Sequence, residues 1–335
     1  MKKTALWVAF LLILVFLYGC SSDKSPAGDE DKNESALQVY TTIFPVQDFT
    51  EKIGKEHVNV ESVYPPNVDA HSYEPSTRLM TKIASADALI YNGAGIEGFV
   101  DAAAKALEKE DVKIYKASEG IEMLSGSIEH SHEEEDSHNH EEEAHDHEED
   151  ANNHDEEESH NHGDADPHVW LDPIRAITIA ENIKNALSEL KPDAAAEFEE
   201  NYLELKQELE SLDAEYTEAI NLSSKKEILV AHAAYGYWER YGIEQYSITG
   251  MSPTQEPTQK KLTEIIETAK EHDIRYIIFE QNITSKVADV VKDEIGAEVL
   301  HLSNLESITE EDINNNEDYF SMMRKNLKTL KKALN

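Results

Sequence analysis

The feature that most constrains the fold is a strand–helix alternation that occurs twice along the chain. "LQVYTTIF", "HVNVESVY", "DALIYNG" and "VKIYKAS" read as strands, with helical patterns at 46–54, 76–84 and 98–109 between them. "EILVA", "EQYSIT", "RYIIFE" and "AEVLHLS" repeat the scheme, with helical patterns at 233–241, 258–272 and 285–295. An amphipathic pattern at 317–334 closes the chain. Alternation of this kind predicts parallel sheets covered by helices. Two long helical patterns, 173–190 and 194–220, join the blocks. Asp172 is placed to cap the first of them, with Pro173 at its first position. The expected fold is therefore α/β, with two lobes, each a mostly parallel sheet flanked by helices. The expected N-terminal lobe is 37–171, the linking helix 172–192 and the C-terminal lobe 193–335.

The first twenty residues, "MKKTALWVAFLLILVFLYGC", carry Lys2 and Lys3 ahead of an apolar run over 5–17. That run is short for a membrane span and suits a signal-peptide core, here 1–19. Cys20 is the only cysteine, so no internal disulfide is available. The polar stretch that follows, to residue 36, has the composition of a tether. "LYGC" resembles a bacterial lipobox. The resemblance implies that Cys20 receives lipid, becomes the mature N-terminus and ties an extracytoplasmic protein to the membrane.

Charge narrows the partners. Thirty Lys and Arg stand against 69 Asp and Glu, a net −39. The segment 127–166 holds 18 acids and no base, which leaves −21 for the rest. A chain this acidic repels nucleic acid and anionic head groups and attracts cations. The same segment carries His130, His132, His138, His140, His145, His147, His154, His160 and His162. It cannot bury a core and is expected to be a disordered loop inserted in the first lobe. Imidazoles set among carboxylates predict secondary, weak zinc sites there.

Ligands of open α/β sheets gather at the carboxyl ends of strands. Four metal-binding residue types stand at such places or at a helix start: His71 after "NVESVY", His168 in "DPHVWLDP", His232 after "EILVA" and Glu280 closing "RYIIFE". Three imidazoles and a carboxylate suit Zn²⁺ better than harder cations. Spacing alone leaves each of them open to a capping or packing role. Trp170, Tyr235, Tyr237 and Trp238 read as core and cleft-wall residues. His57, His272 and His301 have no partner at motif spacing and read as structural.

"DAHSYEPS", "DPHVWLDP", "HAAYGYWERYGI" and "GMSPTQEPTQKKLTEI" together resemble the motif series of the zinc-specific solute-binding lipoproteins of ABC transporters, the ZnuA/AdcA type. The resemblance runs from about residue 37 to the C-terminus. It implies two lobes bridged by a long rigid helix, with Zn²⁺ held between them by His71, His168 and His232 and with Glu280 in the acidic position. It also implies delivery of zinc to an ABC permease and its ATPase subunit by a monomeric chain. Three histidines on zinc with an open position could activate water, but no general base at motif spacing and no substrate-positioning basic residue accompanies them, so the chain reads as a binding protein and not an enzyme. Some zinc members carry glutamate just before the first histidine; here Ala70 stands there, with Asp69 one position earlier, and water is the other candidate for the fourth ligand. Manganese or iron binders of the same fold tend to replace the third histidine by a carboxylate, whereas this chain keeps His232. An adhesin or extracellular metal buffer is the remaining alternative. Because ligand imidazoles must be neutral, binding is expected to weaken as pH falls through roughly 6 to 6.5.

Overall fold

Both halves of the described chain build the same sheet. The computed structural model describes residues 36–125, 165–281 and 285–335. The expected signal peptide, Cys20 and the nine tract histidines lie outside the described residues. Strands β1 (Leu37–Thr41), β2 (Val58–Ser62), β3 (Ala88–Tyr91) and β4 (Lys113–Lys116) pair in the order β2-β1-β3-β4, all parallel. Strands β5 (Glu227–Val230), β6 (Glu244–Ser247), β7 (Tyr276–Glu280) and β8 (Glu298–Leu302) pair in the order β6-β5-β7-β8, again all parallel. Chain order reverses between β1 and β3 in one sheet and between β5 and β7 in the other, and crevices form at such points. The inner strands are almost continuously buried, because helices cover both faces, while edge strands β2 and β8 alternate or open to solvent.

Side chains at the helix starts explain the boundaries. Ser76, Asp172, Thr258 and Ser285 each accept a backbone N–H of the first turn. Each satisfies a donor that the helix itself cannot. The helix after Asp172 spans Pro173–Leu190, as its sequence pattern predicts. The pattern at 233–241 instead yields a 3-10 turn, Gly236–Tyr241. Ala233 N–H donates to Gly250 O and Tyr235 N–H to the Gln245 side chain, which ties the segment before Gly236 to the neighbouring loop and to β6.

The long helix between the lobes is Ala195–Asn221, one helix later than the boundary 172–192 expected. Pro173–Leu190 packs along the first-lobe helix Phe44–Gly54 and against β4. Ala195–Asn221 touches Phe44–Gly54, the turn Gly236–Tyr241 and the last helix, Tyr319–Ala333. The last helix also returns to the first lobe, where Tyr319 meets Phe49 edge to face with centroids 4.9 Å apart. One apolar core therefore runs from the first sheet through these helices to one face of the second sheet. A smaller core around Leu229, Ile277, Phe279 and Val291 covers the other face. Among the described residues no helix is long and apolar enough to cross a membrane.

Asp172 joins these layers. Its buried carboxylate caps Pro173–Leu190 through Ile174 N–H at 2.9 Å and pairs with Arg175 at 2.5 Å and Arg240 at 3.4 Å. Loss of a cap costs about 1 kcal/mol and loss of a charged hydrogen bond about 1.5–3 kcal/mol. Asp172→Ala is therefore expected to lower unfolding free energy by roughly 2–4 kcal/mol in denaturant titrations. A change below about 0.5 kcal/mol, the usual range for surface substitutions, would show that Asp172 does not hold the layers together.

Candidate metal centre

Four segments from both lobes converge on one point. His71 lies in the loop between β2 and the helix Thr77–Ala84. Asp69 accepts His71 N–H at 3.0 Å and the Ser72 hydroxyl at 2.7 Å, so it caps its own turn. His168 opens the 3-10 turn Val169–Leu171, which is held from several sides. The Trp170 indole donates to Asn304 O at 2.7 Å, Trp238 donates to Leu171 O at 2.9 Å, and Tyr319 donates to Trp170 O at 2.7 Å. His232 follows β5 at the reversal point of the second sheet. Glu306 follows β8, in a segment turned by Leu305 with φ of +59°.

The three imidazoles form a nearly equilateral triangle, with centroid separations of 5.4, 5.7 and 5.2 Å. One ligating atom from each of His71, His168, His232 and Glu306 lies within 4.8 Å of the others. Glu306 Oε1 stands 3.4 Å from His71 Nε2 and 3.3 Å from His168 Nε2. A tetrahedron with bonds of about 2.0–2.1 Å has edges of roughly 3.4 Å, so these two separations already match a four-coordinate zinc ion. His71, His168 and His232 Nε2 and Glu306 Oε1 are buried and make no hydrogen bond among the described residues. Buried polar atoms are mostly paired, so four unpaired atoms facing one another form a group that could hold a cation.

The backs of two rings are fixed by carboxylates. Asp166 Oδ1 lies 2.7 Å from His168 Nδ1 and accepts His168 N–H at 2.9 Å. Glu280 Oε1 lies 3.0 Å from His232 Nδ1. Partners of this kind select the tautomer that leaves Nε2 free for metal. Gly236 leaves room for Asp166, since a Cβ there would lie 2.7 Å from Asp166 Oδ2.

Glu280, the expected fourth ligand, meets the ring of His232 instead. β7 neighbours β5, so the last residue of β7 meets His232 from behind, on Nδ1, and Glu280 lies outside the converging set. Glu306 enters from the next strand outward and is not one of the residues that the sequence puts forward. The "SNLES" segment has no metal-binding motif, although it follows a strand's carboxyl end as the other candidates do. Trp170, Tyr235, Tyr237 and Trp238 are buried, as expected of wall and core residues.

Electrostatics couple Glu306 to His168. Burial opposes charge on both, but the Asp166 carboxylate and the attraction between the two groups prevail. His168 is raised to about 9, and Glu306, in contact with His168 and His71, is held well below the usual carboxylate range. Without metal, a proton on His168 Nε2 faces Glu306.

The reversal point of the first sheet carries no ligand because Glu97 fills it. Glu97 accepts the Thr42 hydroxyl at 2.6 Å and the N–H groups of Asn92 and Gly93 at 2.7 and 2.9 Å. Asn92 in turn donates to Pro167 O at 3.2 Å, which steadies the approach to His168.

The family model described as zinc-uptake complex component A, periplasmic (ZnuA), matches residues 39–333. The chain is 37% identical over 334 residues to the zinc-binding lipoprotein AdcA of Streptococcus pneumoniae, covering 99% of this chain and 61% of that protein. It is 35% identical over 328 residues to the high-affinity zinc uptake system protein ZnuA of Bacillus subtilis, covering 98% and 96%. The crystal structure of the Zn(II)-bound ZnuA-like domain of Streptococcus pneumoniae AdcA superposes with a TM-score of 0.69 at 33% identity, covering 89% of this chain and 99% of that domain.

Proposed function

We propose that this chain, which belongs to the zinc-uptake complex component A family, captures Zn²⁺ outside the cytoplasm and delivers it to an ABC permease served by an ATPase subunit. His71, His168, His232 and Glu306 hold the ion, while Asp166 and Glu280 orient two of the rings. The observation that carries this reading is the convergence of four buried atoms that have no other hydrogen-bond partner. Three nitrogens and one oxygen suit zinc, and the edge lengths suit a tetrahedron. A fourth protein ligand leaves no open position for a reacting water, which favours carriage over catalysis. Both lobes supply ligands, so separating them dismantles the site and offers a route of release. Cys20 anchors a monomeric chain to the membrane through lipid.

The acidic histidine tract, in the same reading, gathers zinc on weaker and faster sites ahead of "DPHVW". Deleting 127–163 is expected to leave one tight zinc per chain and to remove all weaker equivalents. Calorimetry and metal analysis of the deletion protein test both parts. Loss of the tight equivalent would place primary ligands in the tract and overturn the assignment of the cleft. Deletion of the gene is expected to stop growth under zinc limitation; growth as in the wild type, with no other zinc importer active, would oppose a transport role.

A further inference from the structure

A second cluster of ligating side chains lies at the far end of the first lobe. His57 ends the short turn Lys55–His57 that leads into β2. It therefore sits at the amino end of the first sheet, whereas the cleft residues follow the carboxyl ends of strands. Glu197, in the first turn of Ala195–Asn221, faces it, with His57 Nε2 2.7 Å from Glu197 Oε2. Glu56 brings a second carboxylate, and one ligating atom from each of Glu56, His57 and Glu197 lies within 4.8 Å of the others.

The imidazole is already oriented. Its edge-to-face contact with buried Phe198, at 5.5 Å and 86°, leaves the His57 side chain 20% exposed with Nε2 toward Glu197. The neighbouring cation points elsewhere: Lys55 Nζ lies 3.8 Å from Glu204. Among the described residues no Lys or Arg forms an ion pair with Glu56 or Glu197. Two carboxylates thus meet at one imidazole without a fixed positive charge, and like charges this close repel.

We infer that Glu56, His57 and Glu197 form a second, surface zinc site, separate from the cleft and independent of the reading given for it. The nitrogen donor favours zinc and its neighbours over calcium or magnesium. On binding, His57 Nε2 presents its lone pair to the metal, any proton there leaves to solvent, and water completes the coordination. Three ligands, two of them on exposed side chains that must be ordered, make the site much weaker than the cleft. The metal would join the entry of β2 to the first turn of the helix between the lobes.

Residue-specific chemistry tests this in the full chain. One zinc equivalent is added to fill the cleft, and the rate at which diethylpyrocarbonate modifies His57 is followed by peptide mass spectrometry as further zinc is added. The rate is expected to fall roughly tenfold along a single saturable curve, as a metal-bound nitrogen is blocked. The Glu56→Gln, Glu197→Gln double variant, altered only at exposed positions, is expected to lose that protection and keep first-equivalent affinity unchanged. A His57 rate independent of zinc, or protection that persists in the double variant, overturns the assignment.

Discussion

Glu306→Ala is expected to weaken zinc binding far more than Glu280→Ala, although Glu280 is the carboxylate that the sequence puts forward. The total free energy of a four-ligand zinc site is about 10–16 kcal/mol, so one ligand accounts for roughly 2.5–4 kcal/mol, or about a hundredfold to a thousandfold in affinity. Glu306 places Oε1 within tetrahedral reach of two ring nitrogens, whereas Glu280 reaches only the back of His232. Removing such an outer partner costs about 10- to 100-fold. Competition against a chelator of known affinity, on protein lacking 127–163, separates the two ranges. Cobalt absorption adds a geometric readout: the intense bands of a tetrahedral ion are expected to survive Glu280→Ala and to change in Glu306→Ala. The reverse order in both measurements would make Glu280 the ligand. His71→Ala, His168→Ala and His232→Ala are each expected to fall in the larger range.

The contrast between these carboxylates shows what the sequence makes legible. Both sheets could be read because each strand and each crossing helix has its own local pattern, with starts marked by residues such as Ser76 and Asp172. The three histidines could be read because each follows a strand or opens a helix, where ligands collect. Glu306 also follows a strand, but its segment carries no motif that marks a ligand. Its position depends on contacts far apart in sequence: Phe44 N–H donates to Glu306 O at 3.1 Å, Ala70 N–H to Glu306 Oε2 at 3.4 Å, and the Ser307 hydroxyl to Val68 O at 2.7 Å. These contacts bring the segment after β8 across to the His71 loop. The helix that crosses between lobes was displaced for a similar reason, since two adjacent helical patterns look alike until their packing partners are known.

Zinc binding at pH 7.5 is expected to release about one proton, drawn from His168. In the metal-free protein His168 is raised to about 9 by Asp166 and Glu306 against the opposing effect of burial, so at pH 7.5 its Nε2 carries a proton that the metal must displace. Because proton and zinc compete for one nitrogen, apparent affinity is expected to fall about tenfold for each pH unit below about 9. The window begins well above the roughly 6 to 6.5 expected of unperturbed imidazole. The sign for folding runs the other way. A group raised on folding adds stability that is fully present below its unfolded value, about 6.5, and is lost as pH rises through about 9. Metal-free protein should therefore lose the contribution of the His168–Glu306 pair on the alkaline side, where zinc binds best. Calorimetry at pH 7.5 in buffers of different ionisation enthalpy counts the protons. Asp166→Asn retains an acceptor for His168 Nδ1 but removes the charge, so the released fraction should drop while the ring stays oriented. Affinity that is flat between pH 7 and about 8.5, with no proton released, would show that His168 is already neutral before zinc arrives.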